Sequence, residues 1–355
     1  MRSFGTTVAV AIAGLLFFTQ FALASEEEEG NALSSMLENT STDGWVAASY
    51  NYNFEGFDRD ETKAEFPDPI LSGYETTNSF QLDQAWISID NAATEDSRGG
   101  AHLDYQWGTI GGGLSGNLHS AYLSYLAPVG DGVNLDLGLL PTMMGAEVPQ
   151  TNANFNVTRG LVWELQPVTN VGAVFSTDFM GFGVALGILN DTISGAIADN
   201  NNEKALTAQI SKSGDDWSVA GTIVWGDLGG VDTGFYDLVI TCDGMESVSA
   251  WFNYTLVDAD DIGQIHGIAV AARMALNDDM GVALRGEVTI LDLDGFSSDS
   301  AYSITATGDY ALTSHLQAKA EIRIDIDADG FKGSDGTSFD EDVSALILAQ
   351  LVYTF

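Results

Sequence analysis

Hydrophobic and polar residues alternate along most of this chain with a period of two. The closing stretch VSALILAQLVYTF puts Val343, Ala345, Ile347, Ala349, Leu351, Tyr353 and Phe355 on one face of an extended strand. Leu316, Ala318, Ala320, Ile322, Ile324 and Ile326 oppose Gln317, Lys319, Glu321, Arg323 and Asp325 in the same way. Val133, Leu135, Leu137 and Leu139 oppose Asn134, Asp136 and Gly138. From Gly44 onward no helical period is visible, glycine is abundant and proline rare. In order, the alternation predicts sixteen strands: 45–54, 79–90, 101–107, 118–126, 133–140, 171–178, 182–190, 204–211, 217–225, 236–242, 248–256, 266–276, 281–291, 301–312, 316–326 and 343–355. Segments 101–107, 118–126 and 236–242 alternate poorly, so fourteen or twelve strands are the alternatives. The class is all-β and antiparallel.

The connections separate a barrel from a sandwich. Short gaps at 127–132, 179–181, 212–216, 243–247, 277–280 and 313–315 alternate with longer ones at 55–78, 108–117, 141–170, 191–203, 226–235, 257–265, 292–300 and 327–342. Only 91–100 is longer than its side predicts. Short turns at one end and long loops at the other are the habit of an outer-membrane barrel with both termini in the periplasm. A charge facing lipid at the midplane costs roughly 2–4 kcal/mol, so Lys319, Glu321, Arg323 and Asp325 belong in the lumen. A soluble acidic β-sandwich, with those aliphatics in a dry core, is the rival reading. If the barrel is right, 343–355 pairs with 45–54 to close it.

The other end of the chain favours export. Residues 1–24 read as a signal peptide: Arg2, an apolar run from Val8 to Phe18, then Ala22-Leu23-Ala24 before Ser25. The run is short for a membrane span, and no later stretch reaches the roughly 20 apolar residues a transmembrane helix needs. Residues 25–43 are expected to form a polar periplasmic extension, and 44–355 the barrel. The chain carries 51 acidic residues against 12 basic ones, for a formal charge of −39. A barrel accommodates this by crowding acids into loops and lumen. Nucleic acid is excluded as a partner, because phosphate binding needs the opposite sign. Cys242 is the single cysteine, so no internal disulfide forms.

Where bases are scarce, their positions are informative. Arg273, Arg285, Lys319 and Arg323 fall on predicted lumen positions of neighbouring strands. They could set up a transverse field across a pore, or simply pair within the wall: Arg285 with Glu287, Lys319 with Glu321 and Asp325. The expected pore lining is Asn134, Asp136, Arg273, Arg285, Glu287, Lys319, Glu321 and Arg323. The interruption 141–170 holds Glu147, Asn154, Arg159 and Glu164, with Met143, Met144, Trp163 and Leu165 as apolar anchors. It is too long for a turn and too apolar to stand in water, so it is expected to fold into the lumen as a constriction. An outer cap, or a further strand over 155–163, is the alternative.

Asp325, Asp327 and Asp329 match the first half of an EF-hand loop, but Gly336 stands where the bidentate Glu belongs. A loosely bound Ca²⁺ is the only cofactor expectation. His102, His119, His266 and His315 are scattered, and no catalytic residues or enzyme activity are predicted.

Three segments, AYLSYLAPVGDG (121–132), VNLDLGLLPTMMGAE (133–147) and NVTRGLVWELQPVTNVG (156–172), together with NSFQLDQAWISID (78–90), carry a family likeness. The chain resembles the putative β-barrel porin-2 family of OmpL-like outer-membrane proteins. That family usually shows a Lys and a Pro in the strand before the long loop, where this chain has Leu139 and Met143. The resemblance implies a bacterial outer-membrane porin, a passive channel for small hydrophilic solutes or ions. The net charge adds a mild cation preference. A non-conducting scaffold or adhesin barrel, with acidic loops binding divalent ions, is the second reading. Membrane lipid and small solutes are the expected partners, with a homotrimer as the candidate assembly.

Overall fold

The computed structural model describes residues 40–54, 74, 78–193, 203–295, 298–327 and 343–355. The expected signal peptide, and the extension up to residue 39, lie outside them. Among the described residues sixteen strands appear: β1 (Thr40–Asn53), β2 (Ser79–Asn91), β3 (Gly99–Gly108), β4 (Gly113–Ala127), β5 (Val133–Pro141), β6 (Thr169–Phe179), β7 (Phe182–Leu189) and β8 (Ala205–Ser213), then β9 (Trp217–Asp227), β10 (Asp232–Met245), β11 (Val248–Ala259), β12 (Gly263–Ala275), β13 (Met280–Leu293), β14 (Asp299–Ala311), β15 (Leu316–Asp327) and β16 (Val343–Thr354). Each pairs antiparallel with its sequence neighbours, and β16 returns to β1, so the sheet is a closed barrel. The soluble sandwich is excluded.

Closure follows the expected pairing. Trp45 lies opposite Thr354, and the ladder runs to Asn53 opposite Leu346. Beyond it, Gly44 and Phe355 exchange backbone hydrogen bonds at 3.3 and 3.0 Å. A side chain at 44 would strike the Trp86 carbonyl and the Phe355 ring, so the seam requires glycine there. The first strand begins at Thr40, before the expected 44, so the last residues of the expected extension belong to the barrel.

The two faces separate as the transfer cost demands. Ile322, Ile324, Ile347, Leu351 and Tyr353 are exposed on the outside, whereas Lys319, Glu321, Arg323 and Asp325 are buried within. Aromatic residues stand exposed near both rims: Trp217, Tyr310, Tyr353 and Phe355 at the end holding Phe355, and Tyr52, Phe54 and Phe80 at the other.

Two expectations shift. The predicted loops 108–117, 226–235 and 257–265 are tight turns, 109–112, 228–231 and 260–262, because the strands on either side run longer. Period-two polarity fades where both faces of a strand meet water, but the hydrogen-bond ladder continues past that point. Weak alternation in the fourth candidate comes from a bulge, and the second strand carries another. A register shift at Asp104/Tyr105 turns His119 and Ser120 inward in succession. A second, beside Ala47/Ala48, does the same to Asp83 and Gln84. An extra residue in one strand reverses the phase of everything after it.

Candidate functional site

Between β5 and β6 the chain leaves the wall, and the backbone N–H of Thr142 donates to the carbonyl of Val168 at 3.0 Å to close the neck. The intervening loop contains no strand. Its one regular piece is a turn of 3-10 helix, Trp163–Leu165. It folds into the lumen, as its length and apolar content predict, and docks on successive strands.

The first leg crosses to β8–β11. The carbonyl of Met143 accepts from Gln209 Nε2 (2.8 Å) and Thr222 Oγ1 (3.1 Å). Met144 is buried with Leu189, Ala205, Val224 and Phe235. The N–H of Gly145 donates to Asp237 (2.9 Å), and that of Ala146 to Asn253 (3.1 Å). Further on, the Pro149 carbonyl and the Thr151 N–H are both held by the Gln84 amide of β2, each at 3.0 Å.

The strongest anchoring is on β13–β15. Arg285 Nη1 donates to Glu147 (2.5 Å) and to the Thr158 carbonyl (2.6 Å), and its Nε lies 2.8 Å from Glu287. Glu321 accepts from the N–H groups of Val157 (2.5 Å) and Thr158 (3.0 Å) and from the hydroxyls of Thr158 and Thr307 (both 2.6 Å). Lys319 donates to the Asn154 carbonyl (2.7 Å) and Arg323 to that of Arg159 (2.6 Å). The N–H of Gly160 donates to Glu147 at 2.7 Å, and a side chain at 160 would collide with the Glu287 carboxylate. Val157 packs with Tyr74, Leu346 and Leu348, which explains the two leucines on the inward face of β16. Charges buried this deeply persist only when paired and hydrogen-bonded. Here the loop backbone supplies much of that pairing.

Five of the eight residues expected to line a pore are therefore loop anchors. Arg285, Glu287, Lys319, Glu321 and Arg323 are buried beneath the loop. Pairing within the wall is formed by Arg285 with Glu287, but not by Lys319 with Glu321 or Asp325. Asp325 is taken instead by Arg323 at 2.9 Å. Asp325 is the first acid of the expected calcium loop. Asp327 ends β15, and Asp329 lies outside the described residues. No group of three metal-ligating side chains occurs among the described residues. Arg273 binds Asp309 through Nε and Nη2 (2.9 and 2.6 Å) and stays partly accessible.

The loop's own residues divide likewise. Asn154 staples the backbone of Val148 and Gln150, and Arg159 is buried against Thr151. Glu164 alone of the four is exposed, on the 3-10 turn.

The opposite wall differs. Along β4–β7 the inward positions include Ser124, Gly138, Gly172, Ser176, Gly183, Ala185 and Gly187, with Asp136 accepting from Ser124. A recess of about 370 Å³ opens there, lined among others by Asn134, Ser176, Asp178, Gly183, Gln209 and Ser211. Asn134 and Asp136 are thus the predicted lining residues that face this side. Sequence reasoning missed Gln84, Asp237 and Asn253 as anchors. The signal for Asp237 was a lone acid in an apolar strand. A lumen cluster in which His102 bridges Asp90 and Asp104, each at 2.9 Å, was also missed.

The family model for putative β-barrel porin-2, OmpL-like, matches residues 39–355. The chain belongs to that family. Its members are porins, and the barrel, the lipid-facing apolar band and the inserted loop place this one in a bacterial outer membrane. No curated protein matches the chain. Among solved structures, the outer-membrane channel DcaP of Acinetobacter baumannii superposes with a TM-score of 0.60 at 12% identity, covering 89% of this chain and 97% of its own. The anion-selective porin from Comamonas acidovorans gives 0.57 at 13%, covering 89% and 99%. Outer-membrane expressed OmpT of Vibrio cholerae gives 0.58 at 11%, covering 89% and 97%. At such identities the likeness is one of fold.

Proposed function

We propose that this porin passes small hydrophilic solutes and ions between its inserted loop and the wall fronted by the recess on β4–β8, with a mild preference for cations. One observation carries the selectivity. The lumen bases Arg159, Arg285, Lys319 and Arg323 are buried beneath the loop, Arg285 and Arg323 against carboxylates and Arg159 and Lys319 against neutral oxygens of the loop, away from the wall β4–β8. Asp136 and Asp178, by contrast, are accessible on the small-residue wall. Acids facing the path concentrate counter-ions, and a basic stripe sealed under a loop does not offset them. The end holding Phe355 would face the periplasm, after export through the signal peptide 1–24. The assembly would be a homotrimer, and a solved Vibrio cholerae OmpT is described as a trimer form. Planar-bilayer recording across a KCl gradient tests the reading. A reversal potential of the sign for K⁺ over Cl⁻ is expected. The opposite sign overturns the preference, and absence of conductance overturns the path.

A further inference from the structure

Under the loop, on the side toward Phe355, lies a recess of about 180 Å³. The loop contributes residues Asn152, Ala153, Asn154 and Phe155 to it, and the wall contributes Arg273, Asp309, Gln317 and Lys319. Two cations and one carboxylate therefore face the same small volume.

The donors there are not all used. An ammonium has three protons to give, and Lys319, 4% exposed, makes one hydrogen bond, to the Asn154 carbonyl at 2.7 Å. Arg273 spends Nε and Nη2 on Asp309, and its Nη1 has no hydrogen-bond partner. Gln317 reaches Asp309 at 3.3 Å, which further fixes that carboxylate on the wall. The Arg273–Asp309 pair is neutral as a unit, so Lys319 leaves the lining with one positive charge. Phe155 and Ala153 are the apolar members of the lining, beside Asn152 and Asn154.

We infer that this recess is a binding site for a small organic monocarboxylate. Its carboxylate would bridge Lys319 Nζ and Arg273 Nη1, and its short hydrocarbon body would lie against Phe155. One net positive charge suits a monoanion, a planar carboxylate suits a guanidinium edge beside an ammonium, and Phe155 offers an apolar contact that an inorganic ion would not use. The site does not depend on the conduction path. It is a side pocket of the lumen, and it is compatible with a path that favours cations.

The test is titration of the full-length, detergent-solubilised barrel with propionate labelled with carbon-13 at its carboxyl, followed by ligand line broadening. Saturable broadening is expected, with no competition from propionamide, which has the shape without the charge, and little from inorganic phosphate. K319M should weaken binding by at least about tenfold, as loss of one charge-assisted hydrogen bond implies, and K319R should retain most of it. R273Q/D309N removes the neighbouring pair without stranding a carboxylate and touches no hydrogen bond to the loop. It should also weaken binding about tenfold, so it decides the matter if K319M unseats the loop. The inference is overturned by absence of saturable broadening, by binding that survives R273Q/D309N unchanged, by equal competition from propionamide, or by phosphate binding where propionate does not.

Discussion

The two halves of the lumen wall are built on opposite principles. On β13–β15 nearly every mid-barrel inward position is charged or a hydroxyl, and five of them, Arg285, Glu287, Lys319, Glu321 and Arg323, bond the backbone of the loop. On β4–β7 glycine, alanine, serine and a few acids share the inward face with Tyr122, Leu126, Val174 and Leu189, few of these positions bond the loop, and a recess stands in front of them. Charge density inside this lumen therefore does not by itself mark a pore lining. Here it marks where a loop is clamped, because a loop brought into a barrel carries backbone donors and acceptors that must be satisfied. On the proposed path, the bare wall is what the clamped side leaves to solute.

The sharpest way to break this comparison is to unclamp the loop. Arg285→Ala leaves Glu147 and Glu287 buried without their cation, a change worth about 3–5 kcal/mol. Urea unfolding of the refolded barrel should show the loss, and single-channel conductance should rise or become noisy as the loop swings free. Glu321→Gln keeps the shape but surrenders the charge that gathers four donors, with an expected cost of about 1–3 kcal/mol. An unchanged unfolding midpoint in both variants would mean the clamp contributes nothing. Conversely, Ser211→Trp on the bare wall should cut conductance to roughly half while stability moves by no more than about 0.5 kcal/mol. Last and smallest, Asp136→Asn with Asp178→Asn should move the KCl reversal potential by a few millivolts toward zero. A shift in the cation direction would contradict the assignment of those acids to the path.

How much of this was legible beforehand depends on range. The strands, their number and the seam at Phe355 could be read because lipid imposes period-two polarity locally, residue by residue. Ends of strands could not, since β9, β10 and β11 continue into water, where neither face is constrained. The loop announced itself by length and by Met143, Met144, Trp163 and Leu165. Its docking wall did not: Arg285 meets Glu147 and Glu321 meets Val157 across more than a hundred residues, and a single sequence holds no record of such pairing. For that reason Arg285, Lys319 and Arg323 looked like a pore-lining stripe. The same residues under a loop are anchors, and only the fold distinguishes the two.

Accessibility during conduction tests the central claim most directly. In a protein with Cys242 replaced by serine, Ser211→Cys on the bare wall and Thr305→Cys on the clamped wall are exposed in turn to a membrane-impermeant cationic methanethiosulfonate in a planar bilayer. The account predicts a stepwise fall in current for the cysteine at 211 and no change for the one at 305. Modification at 305 with none at 211 would place the path on the other side of the loop and contradict it.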